Sequence, residues 1–137
     1  MTSTKGSCLC GAITYASEST SMSTAICHCR DCQRQSGGAF SVNVLVPSEG
    51  FAVAGKGLSH YSKTGSSGLP AKRHFCSNCG SALYSEIAFM PGVVLLKAGS
   101  LMDTCSVQPS MHLWCGSAMT WVEIDRSLPC FEFEACD

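Results

Sequence analysis

Three tight cysteine clusters constrain this chain more than any other feature. Cys8 and Cys10 stand as C-x-C, Cys27, Cys29 and Cys32 as C-x-C-x-x-C, and Cys76 and Cys79 as C-x-x-C. Seven of the eleven cysteines therefore fall into close groups. A disulfide framework is one use for so many thiols, but the count is odd and Met1–Lys5 shows no apolar stretch of a secretory leader. In a reducing compartment, clusters at these spacings read as metal ligands. Cys105, Cys115, Cys130 and Cys136 are scattered and read as core or surface thiols.

At 137 residues the chain is long enough to bury one core and short for two. A single domain over residues 1–137 is expected. Hydrophobic residues at 45% and charged residues at 14% exclude disorder as a description. A formal net charge of -1 lacks the basic footprint of a nucleic-acid binder, so a zinc-ribbon module on DNA or RNA is disfavoured. No apolar run approaches the ~20 residues a membrane span requires. The expectation is a soluble cytoplasmic protein with no nucleic-acid or membrane partner.

Long helical periodicity is absent, whereas short stretches rich in β-branched and aromatic residues recur between Gly, Ser and Pro. Strands are expected at Ala12–Ser17, Ser23–Cys27, Ala39–Val46, Leu58–Ser62, Lys72–Phe75, Ala82–Ile87, Val93–Ala98, His112–Cys115 and Cys130–Phe133. Arg30–Ser36 reads as a short helix stopped by Gly37-Gly38, and Thr64–Pro70 and Met102–Ser110 as irregular connections. The fold class is mainly β with short helical turns.

Zinc takes four ligands in a tetrahedron. Alternate residues of a strand share a face, so Cys8 and Cys10 can present two sulfurs to one ion. Cys76-Ser77-Asn78-Cys79-Gly80 supplies a knuckle, with Gly80 free to turn left-handed. Together these four thiols make a closed structural site that ties the N-terminus to the middle of the chain. Cys27, Cys29 and Cys32 offer three sulfurs locally, with a fourth position left for water or substrate, the arrangement of a catalytic zinc. Spacing also allows Cys76 and Cys79 to join this second cluster, leaving Cys8 and Cys10 without partners.

These clusters have a recognisable setting. Gly6-Ser7-Cys8-Leu9-Cys10-Gly11-Ala12 with Tyr15, the run from Cys27 through Phe40, and Arg73-His74-Phe75-Cys76-Ser77-Asn78-Cys79-Gly80-Ser81-Ala82-Leu83 resemble three signatures of the glutathione-dependent formaldehyde-activating enzyme family, also called CENP-V/GFA. Ala98-Gly99-Ser100-Leu101, His112-Leu113-Trp114, Trp121 and Pro129 fall where members carry similar residues, so the resemblance spans about residues 6–132. It implies a zinc-stabilised β-tent (Mss4-like) fold of several curled antiparallel sheets. It also implies two zinc ions, with Cys8, Cys10, Cys76 and Cys79 at a structural site and Cys27, Cys29 and Cys32 at a catalytic one. The activity implied is that of a carbon–sulfur lyase, joining a thiol such as glutathione to a small aldehyde or cleaving the S-hydroxymethyl-type adduct.

An open zinc can hold a thiol as its thiolate, and three thiolate ligands favour that role over Lewis-acid activation. His28 and Asp31 are the nearest acid/base candidates, with Asp31 also able to cap the short helix. Arg30, Arg34 and Arg73 are candidates for pairing with substrate carboxylates. Trp114 and Trp121 read as core residues first and as a pocket wall second. The competing function is a non-catalytic zinc-stabilised interaction module on the same fold.

Overall fold

The computed structural model describes residues 3–65 and 68–133; Cys136 lies outside them. Ten strands and one helix follow in the order β1 (Thr4–Ser7), β2 (Ile13–Ser17), β3 (Ser23–Cys27), α1 (Arg30–Ser36), β4 (Ser41–Pro47), β5 (Phe51–Gly55), β6 (Leu58–Thr64), β7 (Pro70–Cys76), β8 (Ala82–Ile87), β9 (Val93–Lys97) and β10 (Met111–Leu113). Single 3-10 turns occupy Ala98–Ser100 and Cys115–Ser117.

The strands form two open sheets, one ordered β1-β2-β5 and one ordered β10-β3-β4-β9-β8-β7-β6. This is the mainly β architecture anticipated, with no closed barrel. All pairs are antiparallel except β10 with β3, which run parallel. Two strands escape the sequence pattern, β1 and β5. Thr4–Ser7 is polar and Phe51–Gly55 is rich in Ala and Gly, so neither advertises strand propensity. Both are strands because β2 pairs with them from either side. At the other end, the strand expected over Cys130–Phe133 reduces to a single bridge between His112 and Cys130.

Alternation explains the layers. In β4, Val44 and Val46 point into the core with Val94 and Leu96 of β9 and Tyr84 of β8, while Ile13 and Tyr15 of β2 close it from the small sheet. Tyr15 stands opposite Gly6, and a Cβ at Gly6 would fall inside the Tyr15 ring. That close crossing lets Tyr15 Oη reach Ser100 Oγ at 2.6 Å. The opposite face of the large sheet collects the alternate residues. The register aligns Ser23, Leu45, Leu95, Ser85 and Arg73 across one row, and Met111, Ala25, Asn43 and Lys97 across the next. Cys27 lies one row further, beside Leu113 and Ser41.

Candidate metal centre and its cavity

The structure separates the cysteines into two groups. The sulfurs of Cys8, Cys10, Cys76 and Cys79 lie within 4.8 Å of one another, as do those of Cys27, Cys29 and Cys32. Cys76 and Cys79 therefore sit with Cys8 and Cys10, which removes the alternative pairing. In the first group Cys8 Sγ is 3.6 Å from Cys10 Sγ, and Cys10 Sγ is 3.8 Å from Cys76 Sγ. A tetrahedron of sulfurs at 2.3 Å from zinc has edges of about 3.8 Å, so this cage fits the ion. Backbone supports it: Ile13 N–H donates to Cys8 Sγ at 3.2 Å. Gly80 takes φ 80, and its N–H donates to Cys76 O at 2.8 Å to close the knuckle. The Ser81 hydroxyl, 3.3 Å from Cys79 Sγ, leads the effects that hold the Cys79 thiol down to about 5. A thiol poised as thiolate is a ready metal ligand.

The second group is built by a change of element. Cys27 ends β3, Cys29 is the N-cap of α1, and Cys32 returns one turn later. Cys29 Sγ accepts from Cys32 N–H at 3.2 Å, so the cap of the helix is a cysteine and not Asp31. Gly37, at φ 71, donates to Gln33 O and stops the helix where expected. The three thiols share protons unequally. Hydrogen bonds from Cys27 and then Cys32 hold Cys29 down to about 2, with the Arg73 charge assisting. Cys27 is pushed up by those same contacts, first with Cys29 and then with Cys32, and by burial.

Cys27, Cys29 and Cys32 line a cavity of about 690 Å3 on the open face of the large sheet. Lys97 lines it too and escaped the sequence reading. Its ammonium is buried and donates to Ser41 Oγ and Asn43 Oδ1, each at 2.9 Å. Burial pushes its pKa down, and the Cys32 sulfur works in the opposite direction. The strand pairing alone could have pointed to it: Lys97 sits in a run of Val and Leu, where a buried cation calls for a reason.

The other sequence candidates divide. Asp31, Arg30 and Arg73 line the cavity. Asp31 is engaged by Lys63 Nζ at 2.6 Å, and Arg30 is bonded to Gln33 Oε1. Arg34 is exposed on the last turn of α1 and is not part of the lining. His28 is fully buried on the far side of β3. There its Nε2 meets His112 Nδ1 at 3.0 Å, and Phe40 packs edge-on at 5.5 Å. Burial lowers the pKa of both histidines, which favours a neutral pair, and His28 does not line the cavity. His74, expected as a strand histidine, stacks on Tyr84 and bonds Glu86 at 2.7 Å. Neither tryptophan packs in the core, and Trp114 takes the second reading, the pocket wall. Trp121 is 72% exposed, and Trp114 lines the cavity.

The model of the family described as glutathione-dependent formaldehyde-activating enzyme matches residues 3–117. A Halomonas elongata protein, provisionally named a glutathione-dependent formaldehyde-activating enzyme, is 29% identical over 126 residues, covering 88% of this chain and 80% of its own. A crystal structure of a Rhodobacter sphaeroides protein, solved as a structural-genomics target, superposes with a TM-score of 0.59 at 23% identity, covering 77% of this chain and 91% of that one. The last comparison speaks to the fold alone.

Proposed function

The chain belongs to the glutathione-dependent formaldehyde-activating enzyme family. From that premise we propose that it is a zinc-dependent carbon–sulfur lyase, joining a thiol to an aldehyde or cleaving the adduct. Two zinc ions serve it, a structural one held by Cys8, Cys10, Cys76 and Cys79 and a catalytic one held by Cys27, Cys29 and Cys32. When bound at the three-cysteine centre, zinc supplies an open position that favours a substrate sulfur in its thiolate form. The observation that carries the reading is that three cysteines open onto a cavity of about 690 Å3 that also receives Lys97 and Arg73.

The residues of the chain do the rest. Lys97, with two of its three N–H groups fixed on Ser41 and Asn43, keeps one donor for the substrate. In the joining direction, the sulfur lone pair forms the C–S bond while the carbonyl π pair moves to oxygen. Lys97 donates a hydrogen bond to that oxygen as charge develops, and the proton lost by the thiol ends there as the hydroxyl. Cleavage reverses each movement. Arg73 adds positive charge on the same face and assists the hydrogen bonds that hold the Cys29 thiol down. His28, enclosed beside His112, positions β3 against β10 and takes no proton from substrate. A reaction that depends on free thiols suits the cytoplasm.

The direct test is zinc-dependent formation of the thiohemiacetal from thiol and aldehyde, followed by isotope-exchange NMR in wild type and Cys29→Ser. Exchange lost in the variant and restored only by zinc in wild type is the expected result. Equal exchange in both proteins would remove the centre from the chemistry.

A further inference from the structure

We propose that the substrate of this centre carries a medium-length alkyl or aryl group, which lies along the open face of the large sheet. An antiparallel sheet with one face in the core normally turns polar side chains outward on the other. Here the outward face carries hydrocarbon: Leu45 and Leu95, which share their row with Ser23, Ser85 and Arg73, and Ile87 on β8 are half-buried within the cavity, and Met111 and Leu113 of β10 line it with the adjoining Trp114. Polarity is divided along that face. Lys97 and Asn43 lie in the row between Cys27 and Leu45–Leu95, and Arg73 ends the leucine row on β7, so a few charged groups flank a wall that is otherwise largely apolar. Concave, mostly apolar space with a few convergent polar groups is the form of a small-molecule site.

Trp114 adds an independent sign. Its φ of 58 is the one left-handed value at a non-glycine among the described residues. A bulky side chain keeps that conformation only where its surroundings impose it, and such positions gather at ligand sites. Phe133 braces it edge-on at 5.2 Å. Formaldehyde, with one carbon, leaves this wall uncovered, and among the described residues the cations that line the cavity are Arg30, Arg73 and Lys97. On the rim, the charge of Asp31 is already paired with Lys63, and Arg30 already donates to the Gln33 side chain.

The assignment rests on the lyase reading for which atoms react, but its test does not require turnover. On the zinc-reconstituted full chain, tryptophan fluorescence measures affinity for S-methyl-, S-butyl- and S-hexylglutathione and for the matching S-alkyl mercaptoethanols. Each added methylene is expected to tighten binding about two- to fourfold in at least one series. Ile87→Ser and Leu95→Ser, each checked for fold by circular dichroism, are expected to flatten the dependence, weakening S-hexyl binding several-fold more than S-methyl binding. Affinity that is flat or absent in both series overturns the proposal. A flat series with a stable dimer by light scattering gives the face to a second copy of the chain and overturns it equally. Chain-length dependence without turnover of any aldehyde would uphold this inference and sink the lyase reading. Turnover fastest with formaldehyde and a flat series would do the reverse.

Discussion

Single side chains at this site have separable jobs, and three substitutions distinguish them. Cys29→Ser removes one ligand of the open centre and the sulfur that caps α1, so turnover is expected to vanish while the melting temperature falls by a few degrees only. Cys79→Ser opens the cage that joins β1–β2 to β7 and is expected to abolish cooperative folding, read by circular dichroism. Equal loss of fold in both variants would defeat the division into two sites. Lys97→Met keeps the packing volume and removes the donor, so kcat/KM should drop about 10²- to 10³-fold, the usual cost of an oxyanion donor. Its melting temperature should hold or rise, because a buried ammonium is replaced by a hydrophobe and Ser41 can still bond Asn43 at 3.1 Å. The His28–His112 pair is a fourth case. Its folded pKa values lie below the unfolded value of about 6.5. The unfolded chain therefore binds more protons once pH drops below about 6.5, and stability present above that pH is lost as pH falls. Denaturant midpoints at successive pH values should show a shallower decline in His112→Gln than in wild type; parallel curves would exclude the pair as a source.

Elements tell how much of this was legible beforehand. The helix Arg30–Ser36 matches its expectation to the residue, because its stop is a left-handed Gly37 and its start a cysteine that the motif already singled out. The central strands β4 and β9 were equally readable from their runs of Val and Leu. β1 and β5 were not, since their strand character comes from pairing with β2 and not from their own side chains. The cavity was less legible still. Lys97 meets Asn43, and Leu95 meets Leu45 and Ser85, only through the register of β4, β9 and β8, which no local window contains. Where a local motif does carry a long-range constraint, its reason is steric. Gly6→Ala should cost about 1–3 kcal/mol in urea denaturation, because the added methyl collides with the Tyr15 ring that anchors β2 to Ser100. A neutral Gly6→Ala would mean that Tyr15 is free to repack, and the glycine of that motif would need another explanation.

At the scale of the whole molecule, the proposed lyase would have its two cysteine groups divide labour between holding the chain together and acting on a ligand. Cys8 and Cys76 are buried within the same core as Ile13, Leu83 and Leu96, so the four-cysteine cage is continuous with the packing that joins the two sheets. Cys27, Cys29 and Cys32 stand on the opposite face of the large sheet, at the end of a cavity. An ion in the cage is released only as that packing opens, whereas an ion at the three-cysteine centre exchanges through its open side. Chelator titration should therefore proceed in two steps. The first removes one zinc by native mass spectrometry and all turnover, with circular dichroism unchanged. The second removes the other zinc together with the β signal and the cooperative melt. Readdition of zinc after the first step should restore turnover at once, while recovery after the second must wait on refolding and on both sheets meeting again. Loss of both ions, the fold and the activity in one step would mean that the centres are coupled, and the open face could then not be an active site hung on an independently stapled scaffold.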